Sequence, residues 1–419
     1  MAIDLLSSTS YIETPFILAT INSYTFGVYN KQELKEKSLY SDYTSFVSTY
    51  PNYIDSLQVE KVNGSFNTYN LKLVYAVTQG DDPNLIDKIL GTANTNRSIK
   101  LSYGDLSIPS YIYKEEEAFI TKVTSNIDVA SSVLTYNLTC ISKSLSLAAG
   151  VTSYPKVEAQ PSTIIEDLLY NNENGLLDIF YGMRNRKLVA NKTLIAKDDK
   201  KVIIEAQPSI TPINYLKYLV ECMTDSDSDD EDIVNKTKYT ITFFDDIKNE
   251  YNGPYFKVTK VTKNISELNT YTVDIGYPGQ NIVTAFNVLD DETYSILYNY
   301  TGSLQQNKYR YRINDDGIIE SKYSPSLTTS KGLYKTTASS KNWWTQVTQY
   351  PISATLTIKG LLRPTILMNY LKVNVWFFGR KHISSGIYII TKQVDTINSS
   401  GYRTQLSLTR IGGVSLDDY

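Results

Sequence analysis

Alternation with a period of two is the feature that most restricts this chain. In "YNLKLVYAV" it places Tyr69, Leu71, Leu73, Tyr75 and Val77 on one face. "SIKLSYG" repeats it with Ile99, Leu101 and Tyr103, and "VLTYNLTC" with Leu134, Tyr136, Leu138 and Cys140. Successive side chains of a strand point to opposite faces, so these runs read as half-buried antiparallel strands. The pattern returns in "TITFFDD", "YFKVTKV" and "TYTVDIG", and again in "ATLTIKG", "LKVNVWFFG", "GIYIITKQV" and "YRTQLSLTRI". The 419 residues exceed one compact core, so two to four domains are expected.

Helical signals are few. "GDDPNLIDKILG" offers Asp82 as N-cap, Pro83 at the first helical position and Gly91 as stop. Leu85, Ile86, Ile89 and Leu90 would be its buried stripe. Further on, "EAQPSTIIEDLLYNN" has the spacing of a capping box from Thr163 to Glu166. The string "EAQPS" recurs, Glu158–Ser162 matching Glu205–Ser209, and Thr211 with Pro212 opens a second helix in "EAQPSITPINYLKYLVECM". Two copies are too few for a solenoid, so the strings predict two strand-to-helix junctions of similar geometry. A stretch near 287–345 has weak periodicity and predicts a long excursion with a helix near Asp290–Tyr298. It ends at Trp343 and Trp344, which on a strand would face opposite ways, so at least one is expected to meet a partner.

Composition excludes more than it selects. Charge is nearly balanced at −3, without the basic excess of a nucleic-acid binder. Tyrosine is abundant, at 35 residues. Tyrosine suits strands and wet interfaces. AT-rich coding, which raises Tyr, Asn, Lys and Ile together, would produce the same excess. Cys140 and Cys222 lie far apart and point to a reducing compartment. No apolar run reaches the length of a membrane span, and no usual export signal is expected.

The motifs of catalysis are absent. His382 is the only histidine, flanked by Arg380 and Lys381. Gly379 and Gly386 sit where a hairpin needs permissive backbone, so His382 reads as an exposed turn residue. One histidine forbids an H-E-x-x-H site, and no phosphate-binding loop or G-x-S-x-G elbow occurs. A carboxylate pair for glycoside hydrolysis has no motif to test. The run Asp225–Asp232 lacks the glycine of a calcium loop and reads as a solvated acidic loop, with a weak cation site as the other reading. No catalytic, cofactor-binding or metal residue is therefore assigned, and no cofactor is expected.

The order of elements resembles phage tail and baseplate hub proteins of the late-control type. "TPFILATINSYTFG", "YIDSLQVEKVNGSFNTYNLKLVYAV", "GDDPNLIDKI" and "SYIYKEEEAFITKVTSNIDVASSVLTYNLTCIS" are similar to that family's first barrel, in which "AFITKV" pairs with "LTYNLTC". "SATLTIKGLLRPTILMNYLKVNVWFFG" and "SGIYIITKQVDTINSSGYRTQLSLTRI" are similar to its second.

The resemblance implies a mainly β, β-rich α+β fold: two antiparallel β-barrel domains flanking a small mixed α/β domain. The expected divisions are 1–148, 149–237, and 238–286 with 346–412, with 287–345 inserted. It also implies a structural hub of a tail tip or baseplate. Three copies would form a homotrimeric, pseudo-sixfold ring joining the hexameric tail tube to a threefold spike or tip. Partners would be other copies, the tail tube protein, the spike or tip protein and other baseplate proteins. Sequence-specific nucleic-acid binding and a membrane anchor are not expected. The expected location is the virion, after assembly in a host cytoplasm. A β-rich cell-wall or polysaccharide-degrading tail enzyme is the alternative, and an exported adhesin a third reading. In the last hairpin Val373, Val375 and Phe377 are expected on the core face, with Trp376 and Phe378 covered by a neighbouring subunit.

Overall fold

A computed structural model describes residues 3–4, 15–28, 53–91, 97–105, 114–143, 150–170, 194–223, 237–244, 255–262, 270–276, 283–290, 309–313, 319–323, 352–361 and 366–410, apart from 23 and 64. The first part holds β1 (Ile3–Asp4), β2 (Pro15–Ile21), β3 (Tyr24–Val28), β4 (Ile54–Val62), β5 (Thr68–Ala76), α1 (Leu85–Leu90), β6 (Ser98–Asp105), β7 (Lys114–Asp128) and β8 (Val133–Ser142). The middle holds β9 (Thr152–Tyr154), β10 (Val157–Ala159), α2 (Pro161–Tyr170), β11 (Val202–Ile204), β12 (Gln207–Ile210), α3 (Pro212–Cys222), β13 (Thr237–Phe244) and β14 (Tyr255–Thr262). The last part holds β15 (Thr270–Ile275), β16 (Val283–Asp290), β17 (Tyr309–Ile313), β18 (Ile319–Tyr323), β19 (Ile352–Lys359), β20 (Tyr370–Phe377), β21 (Arg380–Lys381), β22 (Gly386–Asn398) and β23 (Gly401–Arg410).

The fold is β-rich, as the alternation requires. The predicted core positions Tyr69, Leu71, Leu73 and Tyr75 of β5 and Leu134, Tyr136, Leu138 and Cys140 of β8 are buried, and Val77, just past β5, is half-buried. They pack with β2, β6 and α1 in a first core. A second core joins α2 and α3 to β11, β13 and β14. A third joins β15, β19, β20, β22 and β23. One fifteen-stranded sheet runs through the first and last parts, and among the described residues its pairings close no separate barrel.

Several details differ from expectation. β13 and β14, grouped by sequence with the C-terminal unit, bury Tyr239, Ile241, Phe243, Phe256 and Val258 against Leu216 and Leu219 of α3. They belong to the middle core by packing, since their apolar face needs the helices. The helix α1 forms where expected but starts later, at Leu85. The Asp82 carboxylate accepts from the Asn84 amide at 2.9 Å, the bond expected of it as a cap, although the regular helix begins only at Leu85.

The two EAQPS strings fold differently. Pro161 and Ser162 open α2, whereas Pro208 and Ser209 lie in β12, with Ser209 in the left-handed region at φ 54°. The capping box does not form, because α2 begins before Thr163. Its N-terminus is held instead by Asp199, whose Oδ2 accepts from the Ser162 amide at 2.9 Å, and Glu166 pairs with Lys197. Cys140 and Cys222 are free thiols buried in different cores. The predicted helix at 290–298, Trp343, Trp344 and the acidic run 225–232 lie outside the described residues, save Asp290 at the end of β16.

Candidate functional surface

Eight strands form one continuous antiparallel ladder in the order β16-β19-β23-β22-β4-β5-β8-β7. One face of this ladder covers the first and third cores. The other face is polar. A row of directly opposed residues crosses seven strands on it: Lys359, Arg403, Thr396, Gln58, Asn70, Thr139 and Lys122. All seven are exposed or half-buried. Ion pairs dress the same face: Lys72 Nζ lies 3.0 Å from the Asp55 carboxylate, and Lys392 Nζ 2.7 Å from Glu60. Period two makes this division of faces inevitable once the other side is apolar.

The ladder contains a duplication. In the first half, chain order β4, β5, β7, β8 gives the spatial order β4-β5-β8-β7. In the second half, chain order β16, β19, β22, β23 gives β16-β19-β23-β22. Taking strands in chain order within each half, both read first, second, fourth, third. A fifth strand then pairs with the leading part of the third: Leu101 faces Glu116 between β6 and β7, and Val373 faces Gly386 between β20 and β22. The third strands share a bulge at the same place. Register shifts between Ile120 and Lys122, and between Ile390 and Lys392. Each bulged threonine donates its hydroxyl to the fourth strand, Thr121 to the Thr139 carbonyl at 3.0 Å and Thr391 to the Ser407 carbonyl at 3.2 Å. Bulges re-aim a strand, and beyond its bulge β22 leaves the third core, so that Ile397 packs in the first.

The halves meet where the rest of β22, Lys392–Ile397, pairs with Val62–Leu57 of β4. This joint is buried and polar within. Thr404 donates to Asp395 Oδ1 at 2.6 Å, and Gln393 to Asp395 Oδ2 at 3.1 Å. Burial and the nearby Asp395 carboxylate hold the Tyr402 hydroxyl well above its usual pKa. Gly360 lies so close over the Tyr402 ring that a Cβ there would sit 2.3 Å from it. Deeper in the first core, Lys61 Nζ lies 2.5 Å from Glu116 Oε1, and that carboxylate also accepts from Tyr103 at 2.8 Å and from Tyr69. None of these carboxylates is open to a substrate.

The two outer ends of the ladder are open. β16 pairs only with β19 among the described residues. β7 pairs with β6 as far as Phe119, and the Ile120 amide donates to the Arg97 carbonyl at 2.8 Å; from Thr121 on, no strand is paired with that edge among the described residues. Ile127 is 64% exposed there, and on β16 Val288 and Leu289 are 41% and 60% exposed.

His382 sits in an exposed turn, as its neighbours predict. Its Nδ1 lies 2.8 Å from the Ser384 hydroxyl, and its amide donates to the Val375 carbonyl at 2.8 Å. That turn also holds Ser385, whose hydroxyl accepts from the Val375 amide at 2.9 Å. Trp376 is half-buried in its own chain, its indole nitrogen donating to Asp274 Oδ1 at 3.2 Å. The expected subunit cover of Trp376 is thus met in part from within. Phe377 leaves the core face because a two-residue turn, Phe378 and Gly379, follows it with φ of 51° and 81°. Phe378 is fully exposed. Among the described residues no cluster of three potential metal ligands occurs. The resemblance to hub proteins implied two similar units, and "ITK" at both bulges is a trace of them in the sequence.

No known family and no curated protein matches the sequence. Solved structures do match. The chain is similar to the 43 kDa tail protein of prophage MuSo2 from Shewanella oneidensis, with 10% identity over 96% of this chain and 100% of that one, at a TM-score of 0.51. It is also similar to a tail protein from Neisseria meningitidis MC58, with 8% identity over 95% and 97% of the two chains, at a TM-score of 0.51. The likeness is one of fold, shared with these phage tail proteins over most of the chain.

Proposed function

We propose that this chain is a structural hub of a phage tail tip or baseplate. Three copies form a ring that joins a sixfold tail tube to a threefold spike or tip. The observation that carries the reading is the duplicated ladder. Each chain presents two units of equal strand order, so three chains present six similar units. A threefold assembly thereby offers an approximately sixfold rim. The shared fold with two tail proteins supports the same setting. The partners on this reading are other copies, the tube protein, the spike or tip protein and their baseplate neighbours, in a virion built in the host cytoplasm. We further propose that the first and last parts act as the two ring units, with the middle core and the 287–345 segment as additions. Asn63, in the turn after β4, ties the middle core down by bonds with Thr240 at 2.6 Å and Thr242 at 3.0 Å.

The carboxylate-pair enzyme has no observation in its favour, since Glu116 and Asp395 are each buried and held by their own donors. The test is a mass measurement of the purified chain, alone and with tail tube and tip proteins, followed by reconstruction of the intact particle. A three-copy ring at a sixfold-to-threefold transition is expected. A stable monomer that never joins tail particles overturns the reading.

A further inference from the structure

We propose that the hairpin tip at 377–381 is a reversible contact for an anionic lipid surface, with Phe378 entering the acyl boundary and Arg380 and Lys381 meeting headgroup phosphates. Every group involved lies in one chain, so the contact is independent of the number of copies in an assembly.

The tip stands clear of its sheet. The last rung shared by β20 and β22 is Val373 with Gly386. β20 runs on to Phe377, where it pairs with β21, Trp376 facing Lys381 and Phe377 facing Arg380. At about 3.3 Å per residue, Phe377 lies roughly 13 Å beyond the Val373 rung. Phe377 and Ile383 are more than half exposed, and Phe378 is fully exposed. Among the described residues no other pair of adjacent aromatic side chains is exposed.

This exposure is held in place. The His382 amide donates to the Val375 carbonyl at 2.8 Å, and the Ser385 amide to the His382 carbonyl at 2.9 Å. The Trp376 indole is tied to Asp274, and its carbonyl lies so close to Gly276 that a Cβ there would sit 2.4 Å away. The His382 ring meets Phe377 edge-on, with centroids 5.4 Å apart. A hairpin braced in this way cannot fold its apex back onto the core. Phe378 also keeps a φ of 51°, a strained value for a bulky side chain, and strain kept at an exposed position points to a task outside the fold.

Charge decides what the tip meets. From 371 to 394 the sequence has no acidic residue, whereas Lys372, Arg380, Lys381 and Lys392 are basic. The whole chain carries −3, so an anionic surface attracts this tip and repels the remainder. The order of the rungs favours lipid among anionic partners. The apex, Phe378 with Gly379, is apolar. Arg380 stands one rung behind it, beside Phe377, and Lys381 one rung further, beside Trp376. Apolar groups outermost, then cations, then an amphipathic aromatic ring is the depth order of a bilayer interface. A folded partner would need a pocket shaped to this convex apex with carboxylates at its rim, whereas a lipid surface yields to it.

Flotation of the full chain with vesicles tests this. Vesicles of phosphatidylcholine and phosphatidylglycerol should carry the chain, and vesicles of phosphatidylcholine alone should carry much less. Arg380→Gln with Lys381→Gln should weaken binding about 25-fold at low salt, about fivefold for each cation. Phe378→Asn, which suits the turn, should weaken it about tenfold. Phe378→Cys carrying an environment-sensitive dye should brighten on the anionic vesicles and be quenched by brominated acyl chains. Cys140 and Cys222 are buried, so native labelling reaches the introduced thiol. Vesicle binding that survives both tip variants, or a dye that acyl bromines do not quench, overturns the lipid contact. So does an absence of flotation on the anionic vesicles. If Phe378→Asn then abolishes capture by purified tail tube or tip proteins, the tip is a protein contact instead. All these failures leave the hub reading standing, since that reading falls only if the chain never joins tail particles.

Discussion

The joint at β22–β4 and the open edges at β7 and β16 are two versions of one construction. The first is filled by the chain itself, and the second is open among the described residues. The residues record the difference. The filled joint lies beside buried charge: Lys61 against Glu116, and Asp395 held by Thr404 and Gln393. At the position equivalent to Glu116 the other half has Gly386, where a Cβ would lie 2.9 Å from Arg410 Nε. Arg410 there donates to the Ser385 carbonyl at 3.1 Å. The same fold position is thus satisfied by an internal ion pair in one half and by a close backbone approach in the other. Strand order is a property of the duplicated frame, while the polar chemistry is local to each unit.

The largest effect should come from the buried pair. Lys61→Ala leaves the buried Glu116 carboxylate, which accepts from Tyr69 and Tyr103, without its opposite charge. Breaking a buried pair from one side costs about 3–5 kcal/mol. Urea unfolding should show this loss, and Lys61→Met combined with Glu116→Leu should recover much of it. A single variant as stable as wild type would mean that Glu116 is not dependent on Lys61.

The next comparison sets Ile397 against Ile127. Ile397→Ala removes buried methyl groups from the filled joint and should cost about 2–4 kcal/mol in urea unfolding of the isolated chain. Ile127→Ala, at the matching exposed position, should change that stability by less than about 0.5 kcal/mol. Equal losses would break the comparison, because they would show Ile127 already supported within one chain.

The alternation made the β-rich class legible, and the buried positions of β5 and β8 could be named from it, because period two has only one apolar face to offer. The pairing of "AFITKV" with "LTYNLTC" is also found, Ala118 facing Ser142 and Val123 facing Leu138. What was not legible depends on distant partners. The two EAQPS strings show this directly. Identical residues open a helix where Asp199 arrives to hold the Ser162 amide, and stay extended where β12 finds β9. The capping box failed for the same reason, since Asp199 is thirty-seven residues away from Ser162. The two similar units were implied by the resemblance, but their matching positions leave little trace because the polar face is free to vary: Gln58, Asn70 and Thr139 need only be hydrophilic. The open edges could not be found at all from the sequence, since an edge is defined by which strand is missing beside it.

A smaller effect, distant from both joints, serves as a control. Phe378 holds a left-handed φ of 51° in a two-residue hairpin turn. Turns with positive φ at both central residues favour Asn then Gly, and a bulky side chain pays about 1–2 kcal/mol there. Phe378→Asn should therefore stabilise the chain by about 1 kcal/mol in thermal or urea unfolding, with no change in assembly. Loss of the proposed three-copy assembly in this variant would move attention from the strand edges to the hairpin tip.

The smallest effect at neutral pH concerns Cys140, whose counterpart in the other half is Leu408. The equivalence follows from Thr139 and Ser407, which face Lys122 and Lys392. If the two positions do the same work, the thiol is an apolar filler, and burial pushes its pKa up to about 12. Burial also pushes Cys222 up to about 12. The unfolded thiols ionise near 9, so the fold holds protons that the unfolded chain has released between those values. Their contribution is constant below pH 9 and falls as pH rises toward 12. A thiol reagent at pH 8 should label neither residue in the native chain and both in denaturant. Rapid native labelling of Cys140 would show that the first core opens where its counterpart, sealed by Leu408, does not.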